Sequence, residues 1–391
     1  MLLAPRSRIF YRGACAGLPG CGERYRSNVM QIAFYAPLKS PCHPVPSGDR
    51  LMSRLMMQAL EMAGHEVRLV SELRSFARTP DTLEALEAQA VPERSRISAE
   101  WAATGAPDCW FCYHPYYKAP DLLGPGLAQE HGVAYVTAEA SYSARRDRDG
   151  WGPAQARLLE TLATAAVNLC MTERDRVGIL DGAPSARVER LSPFIDPALF
   201  VARTPVPHPG RLVTVAMMRP GDKMDSYRML AQALARLLHL PFTLSVIGDG
   251  TLRAEVEALF APLGPGRLVW HGERDAEGVA DLLSTAALYV WPGCGEAYGL
   301  AYLEAQAAGL PVVAQAIAGV PEVVAHGRTG ILTPPGDVEA YAEAIAGFLT
   351  DDARRQAMGE AARLFAGTER ALAPAALRLS QILDAFVEHR R

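Results

Sequence analysis

From residue 31 onwards, short apolar runs alternate with amphipathic stretches. Gln31 to Leu38 (QIAFYAPL) predicts a first strand. A Pro- and Gly-rich segment follows, and Ser47 or Asp49 can cap a helix over Arg50 to Ala63, which Gly64 closes. Glu66 to Ser71 predicts a second strand, and residues 80–105 are polar with a helical pattern. Asp108 to His114, Val133 to Thr137 and Val188 to Leu191 predict further strands, with helix, short strand and helix running through Leu180. Residues 201–210 (VARTPVPHPG) are Pro-rich and mark a boundary. The alternation then begins again. Strands are expected at Leu212 to Met217, Phe242 to Ile247, Leu268 to His271, Ala286 to Val290 and Val312 to Ala314. Helices are expected at Ser226 to His239, Gly299 to Ala308, Ala340 to Leu349 and Asp352 to Phe365, before an amphipathic tail from Ala371 to Arg391. Strand and helix in strict succession predict an α/β protein of two Rossmann-like domains, over 30–200 and 212–370, with a linker at 201–211.

A length of 391 residues allows two cores of ordinary size. The net charge of −4 gives no general attraction to nucleic acid, and no apolar run approaches the length of a membrane span. Seven scattered cysteines predict a reducing, cytoplasmic setting without a disulfide framework. Cys109 and Cys112 form a C-x-x-C, but inside an apolar strand, which predicts core positions rather than a metal or redox site. Residues 1–29 carry five arginines against one acid, Glu23, and no apolar core of a secretory signal. Such a start suits a transit peptide or, the reading preferred here, a start codon assigned ahead of Met30.

The candidate chemistry centres on Trp291 to Ala314 (WPGCGEAYGLAYLEAQAAGLPVVA), a unit of strand end, glycine loop, helix and strand. Two carboxylates sit in it, Glu296 in the loop and Glu304 in the helix. The first N–H groups of the helix, near Gly299 and Leu300, form an anion site. Glu304 falls at the edge of the helix's buried face, where a carboxylate is costly unless something bonds it. An anion at the helix start with a carboxylate inside it suits a nucleotide, its phosphates on the N–H groups and its ribose hydroxyls on the carboxylate.

EAYGLAYLEAQAAGLPVVA, followed by AGVPEVVAHGRTGILTPPGD, resembles the C-terminal signature of glycosyltransferase family 4. The resemblance implies a GT-B fold: two Rossmann-like domains facing a cleft, donor on the C-terminal side, acceptor on the N-terminal side, and a last helix crossing back onto the first domain. It implies a glycosyltransferase that moves a sugar from a nucleotide donor with retention, for carbohydrate or glycoconjugate synthesis. Arg219 and Lys223, in the loop after Leu212–Met217, would hold the donor diphosphate in place of a metal, so no cofactor is expected. Gly248, His271, Gly272 and Tyr298 would line the donor site together with Gly299, Leu300 and Glu304, and Glu296 would act at the reacting centre. Ser47-Gly48 stands where a Gly-Gly pair is usual in the loop that meets phosphate or acceptor.

One departure concerns the chemistry. Relatives often carry Thr-x-His after the fourth strand of the first domain, and this chain has Thr137-Ala138-Glu139. Glu139 and His114 together are the candidates to replace that histidine; the alternative is that Glu139 pairs with Arg145 or Arg146 in the basic loop Ser143 to Trp151. That loop, with Arg148, could face an anionic acceptor or anionic lipid at the inner membrane surface. The expected partners are a nucleotide-sugar donor and a carbohydrate or lipid-linked acceptor, with no nucleic acid. Nucleotide-sugar epimerisation and a catalytically silent sugar-nucleotide-binding subunit remain the alternatives. Donor turnover without acceptor would mark the first, and donor binding without turnover the second.

Overall fold

The computed structural model describes residues 29–45 and 47–388. The Arg-rich start up to residue 28, with both readings of it, and the last three residues of the tail lie outside the described residues.

Two parallel six-stranded sheets form the two halves. The first comprises β1 (Gln31–Tyr35), β2 (Glu66–Leu69), β3 (Cys109–Tyr113), β4 (Ala134–Ala138), β5 (Val167–Cys170) and β6 (Val188–Arg190), in the order β2-β1-β3-β4-β5-β6. The second comprises β7 (Arg211–Val215), β8 (Thr243–Ile247), β9 (Leu268–Gly272), β10 (Leu288–Val290), β11 (Val312–Gln315) and β12 (Gly330–Thr333), in the order β12-β11-β10-β7-β8-β9. The central strands β3, β5, β10 and β11 are buried along their whole length, which is why they read as continuous apolar runs rather than alternating ones. Each order reverses once, between β1 and β3 and between β7 and β10. Loops leaving neighbouring strands in opposite directions open a crevice at such a point, beyond the carboxyl ends of the strands. The candidate residues cluster around these two crevices.

The helix Gly48–Met62 buries Met52, Leu55, Met56 and Ala59, a single face at helical spacing. The last helix, Leu372–Phe386, packs against it from the end of the chain. At the crossing, Ile195 and Ala371 form a parallel bridge and the Ile195 amide donates to the Arg370 carbonyl at 2.9 Å. Arg378 adds an ion pair to Glu189 at 2.5 Å. Among the described residues, no helix is long and apolar enough to cross a membrane.

Several boundaries differ from the pattern-based ones. β1 ends at Tyr35 because Pro37 and Pro41 cannot extend a ladder. The helix after β7 spans Asp222–Ala235, so Lys223 sits in its first turn rather than in the loop before it. Gly221, at φ 82°, makes the turn that starts the helix early, and Asp222 and Asp225 suit the positive end of its dipole. Cys109 and Cys112 are both buried on β3, with Cys109 among the neighbours of Phe111 and Tyr113 and Cys112 on the other face beside Trp110. Their thiols therefore cannot share a metal or a bond, and burial pushes both up from the ordinary thiol value.

Gly248 shows how tightly the second domain's loops are stacked. Its φ is 137°, and a Cβ there would lie 2.0 Å from the Ala216 carbonyl oxygen. The backbone of the β8 turn therefore lies directly on the loop that leaves β7. Gly248→Ala should cost about 2–4 kcal/mol through backbone strain and the displaced β7 loop. Urea unfolding checks this, and an unchanged midpoint would show that the turn yields freely.

Candidate active site between the two domains

On the C-terminal side the site begins with the loop after β10. Lys223 forms an ion pair with Glu296 and also lies over the Trp291 ring, 5.5 Å from its centroid. Both charged side chains are about four-fifths buried, at 18% and 20% exposure. The loop after β10 is further tied to the Asp222–Ala235 helix by the Cys294 amide, which donates to Ser226 Oγ at 2.9 Å. Gly295, at φ 67°, allows the approach, since a Cβ there would lie 2.2 Å from the Asp222 carboxyl carbon. Arg219 stands exposed in the β7 loop without an ion pair among the described residues.

The helix after this loop, Leu300–Ala307, starts at Gly299 with no side-chain cap, so its first N–H groups have no helical partner. Glu304 lies one turn in. Its carboxyl makes no hydrogen bond with the described residues, and burial pushes it up to about 7. Across the crevice, the Gly248 amide donates to the Gly272 carbonyl at 2.8 Å. The β8–β9 register slips by one residue at His271. That bulge turns the histidine out of the ladder. His271 Nε2 is buried with no hydrogen bond, and burial, with Arg274 and Arg211 nearby, pushes the ring below its ordinary value.

On the N-terminal side, Ser47 Oγ accepts from the Arg50 amide at 3.2 Å and so caps the Gly48–Met62 helix. Gly48 is exposed, with open space around it. His114 and Glu139 follow the ends of β3 and β4 and share the left-handed region, at φ 57° and 58°. In a non-glycine residue this backbone is costly, and two such residues side by side on adjacent strands aim their side chains off the sheet. The Asp49 carboxylate lies 3.0 Å from His114 Nδ1. Burial disfavours the imidazolium, but the charges of Glu139 and Asp49 outweigh it and raise His114 to about 9. At neutral pH this histidine is a cation.

Glu139 is buried, with 6% exposure, and accepts from Tyr113 Oη at 2.6 Å and Tyr298 Oη at 2.8 Å. Its partners are thus two tyrosines, one from each domain, and neither Arg145 nor Arg146. Those arginines and Arg148 are exposed, with Arg146 stacked over Tyr117. Burial raises Glu139 more than the His114 charge and the hydroxyls lower it. The expectation for Tyr298 changes as well, because its hydroxyl is committed to Glu139 rather than turned to the donor residues. A second bridge between the domains runs through Glu322, which accepts from the Glu173 amide at 2.7 Å and pairs with Arg190 at 2.6 Å. Asp49, Tyr113 and Lys39 were not singled out as site residues from the sequence. Asp49 was visible only as a capping residue, and Tyr113 was hidden in an apolar strand with no polar signal of its own.

Residues 209–351 match the family model described as glycosyl transferases group 1. The C-terminal domain belongs to that family. A D-inositol 3-phosphate glycosyltransferase of Corynebacterium urealyticum is 31% identical over 187 residues, covering 45% of this chain and 44% of that protein. This chain therefore spans less than half the length of that relative. A second D-inositol 3-phosphate glycosyltransferase, from Catenulispora acidiphila, is 28% identical over 299 residues, 67% of this chain and 70% of that protein. Among solved structures, the sucrose-phosphate synthase of Thermosynechococcus elongatus superposes with a TM-score of 0.72 at 22% identity, over 91% of this chain and 98% of that one. WaaG, a glycosyltransferase involved in lipopolysaccharide biosynthesis, gives a TM-score of 0.63 at 19% identity, over 90% of this chain and 99% of that one. These glycosyltransferases share the two-domain GT-B fold, which is the fold of this chain.

The cation at His114 carries a consequence for pH. Its value is raised only in the folded state, so its stabilising contribution is complete below the ordinary 6.5 and is lost as pH rises through about 9. His114→Gln should flatten that alkaline loss in urea titrations. In Glu139→Gln the ring should titrate well below its wild-type value by NMR. An unmoved His114 titration would remove Glu139 from its neighbourhood.

Proposed function

We propose that the protein transfers a sugar from a nucleotide-sugar donor to an acceptor, with retention at the anomeric carbon and without a metal. The observation that carries this reading is Glu304, a half-buried carboxyl with no hydrogen bond among the described residues, one turn inside a helix whose first amides are uncapped. Two ribose hydroxyls would satisfy it, and the diphosphate would meet the amides of Gly299 and Leu300. Gly248, His271 and Gly272 would line the site for the base. The resemblance of the Trp291–Ala314 unit to family 4 enzymes and the family match of the C-terminal domain support the same assignment.

In the reaction the bond from the anomeric carbon to the diphosphate oxygen breaks, and the acceptor oxygen bonds on the same face. The acceptor proton passes to an oxygen of the departing diphosphate. Arg219 and Lys223 offset the charge that grows there, with Lys223 leaving or sharing Glu296 as the diphosphate arrives. Glu296 thereby positions the lysine instead of acting alone. On the acceptor side, Ser47-Gly48 leaves open space beside the helix start. His114, being protonated, donates a hydrogen bond and does not serve as a base. Glu139 supplies negative potential and its backbone carbonyl near the sugar ring, and Tyr298 links it to the donor domain.

Glu304→Ala should weaken binding of UDP-glucose, the first donor to test, by about 1–3 kcal/mol in calorimetry. Wild-type affinity should rise as pH passes upward through about 7, because the hydroxyls favour the ionised carboxylate, and Glu304→Gln should abolish that rise. If UDP-, GDP- and ADP-sugars all bind the Glu304→Ala protein as they bind wild type, the donor assignment fails.

With donor and acceptor in hand, Arg219→Ala, Lys223→Ala and Glu139→Gln should each lower kcat more than they raise the donor KM. Turnover should survive a metal chelator. A change in KM alone would reduce the two cations to binding groups.

A further inference from the structure

The loop after β1, residues 36–47, is held by arginines. Arg74 Nε donates to the Leu38 carbonyl at 3.1 Å, Arg54 Nε to the Pro41 carbonyl at 2.7 Å, and Arg50 Nη1 to the Pro44 carbonyl at 3.0 Å. Each of these contacts uses one of the five N–H groups of a guanidinium. Lys39, half-buried, lies in the middle of this braced loop. None of Lys39, Arg50, Arg74 and Arg219 has an ion pair among the described residues, whereas many other arginines of the protein pair with a carboxylate. Asp49, whose charge acts on Lys39, is committed to His114, itself a cation, and Glu72 accepts from Ser40 Oγ at 3.4 Å without an ion pair among the described residues. Burial lowers Lys39 below the ordinary lysine value, and the charges of Arg50, Arg74 and Arg219 lower it further, with only Asp49 opposing them. The same neighbours bring Arg219 of the second half within electrostatic reach of Lys39 in the first. In a chain of net charge −4, such a local excess of unpaired positive charge is costly unless an anion meets it.

The donor diphosphate accounts for Arg219 and Lys223 but not for three cations fixed to a loop of the other domain. Their guanidinium forks and a compact ammonium suit a phosphate group, which accepts several charge-assisted hydrogen bonds at once. We infer that Lys39, Arg50 and Arg74 form an anion subsite on the acceptor side of the cleft, and that the acceptor is a phosphorylated compound whose phosphate docks there. The inference rests on the proposed division of the cleft into donor and acceptor sides. The phosphate could belong to a soluble sugar phosphate or to a phospholipid headgroup, and the chemistry at Lys39, Arg50 and Arg74 is the same for both.

The full chain, saturated with UDP so that the donor side is filled, is titrated with inorganic phosphate, glucose 6-phosphate, fructose 6-phosphate and the two free sugars. In parallel it is sedimented with phosphatidylcholine vesicles with and without phosphatidylglycerol. At least one phosphorylated probe should bind about tenfold or more tightly than its neutral counterpart at low ionic strength, and salt should erode the difference. Preference among the sugar phosphates identifies a soluble acceptor; preference for the anionic vesicles alone identifies a headgroup. The double variant Lys39→Gln, Arg74→Gln should lose the preference while UDP affinity stays within about twofold of wild type, and Arg74→Lys should keep most of it. If phosphorylated and neutral probes bind alike in both arms while UDP binds normally, the subsite is wrong and the donor reading stands. If the double variant loses UDP as much as phosphate, the loop serves the donor and the inference is overturned. Absence of UDP binding in the wild type would instead sink the functional reading itself.

Discussion

A carboxylate with 6% exposure must be met by donors or forgo its charge, and Glu139 is met from both domains. Tyr113 belongs to the strand beside it, whereas Tyr298 arrives from the loop of the other sheet. Much of the cleft depends on this one junction. It sets how closely the loop after β10 approaches the end of β4, and therefore how near the first turn of the Leu300–Ala307 helix comes to His114 and Asp49. It also supplies one of the negative charges that keep His114 protonated against burial. The left-handed backbone at Glu139 and His114 is the local cost of aiming both side chains at the junction.

The cleft is polarised in layers. Behind the N-terminal wall lie alternating charges, Asp49 against His114 and then Glu139, which largely cancel. Lys39, Arg50, Arg74 and Arg219, by contrast, have no ion pair among the described residues, and Asp49 is committed to His114. On the C-terminal wall, Lys223 is held by Glu296 and Trp291, while Arg219 stands clear. Lys223 already has an anionic partner in Glu296, so an anion that replaced that partner would not have to desolvate a bare ammonium.

The architecture was legible because both sheets are parallel and buried, so that each strand appeared as an apolar run and each crossover as an amphipathic one. The unit around Glu304 was legible for the same reason, since its helix start and glycine loop follow from local rules. Position within the site was less so. The Asp222–Ala235 helix starts ahead of Ser226, where its pattern predicts it, because Gly221 adopts a turn that no periodicity reveals. The partners of Glu139 were missed because Tyr298 is 159 residues away in sequence, and nothing in either stretch names the other. The role of Asp49 was masked by its second occupation as a helix-start acid. Contacts made across a cleft belong to two separately folded surfaces, and local pattern carries information about only one of them at a time.

The side-by-side passage of the chain at Ile195 and Ala371 has a mechanical meaning. The polypeptide crosses between the domains twice, and at that point the two crossings are hydrogen-bonded to each other. Two joined cords act as the spine of a book: they resist twisting and sliding and leave one soft direction, a swing about their common line. The covers are fastened at the cleft by the Tyr298–Glu139 contact, and Glu322 ties the two halves beside the spine itself, where its carbonyl accepts from Arg370. Each sheet is built wholly from strands of its own half, so a swing about that line would leave every strand pairing intact.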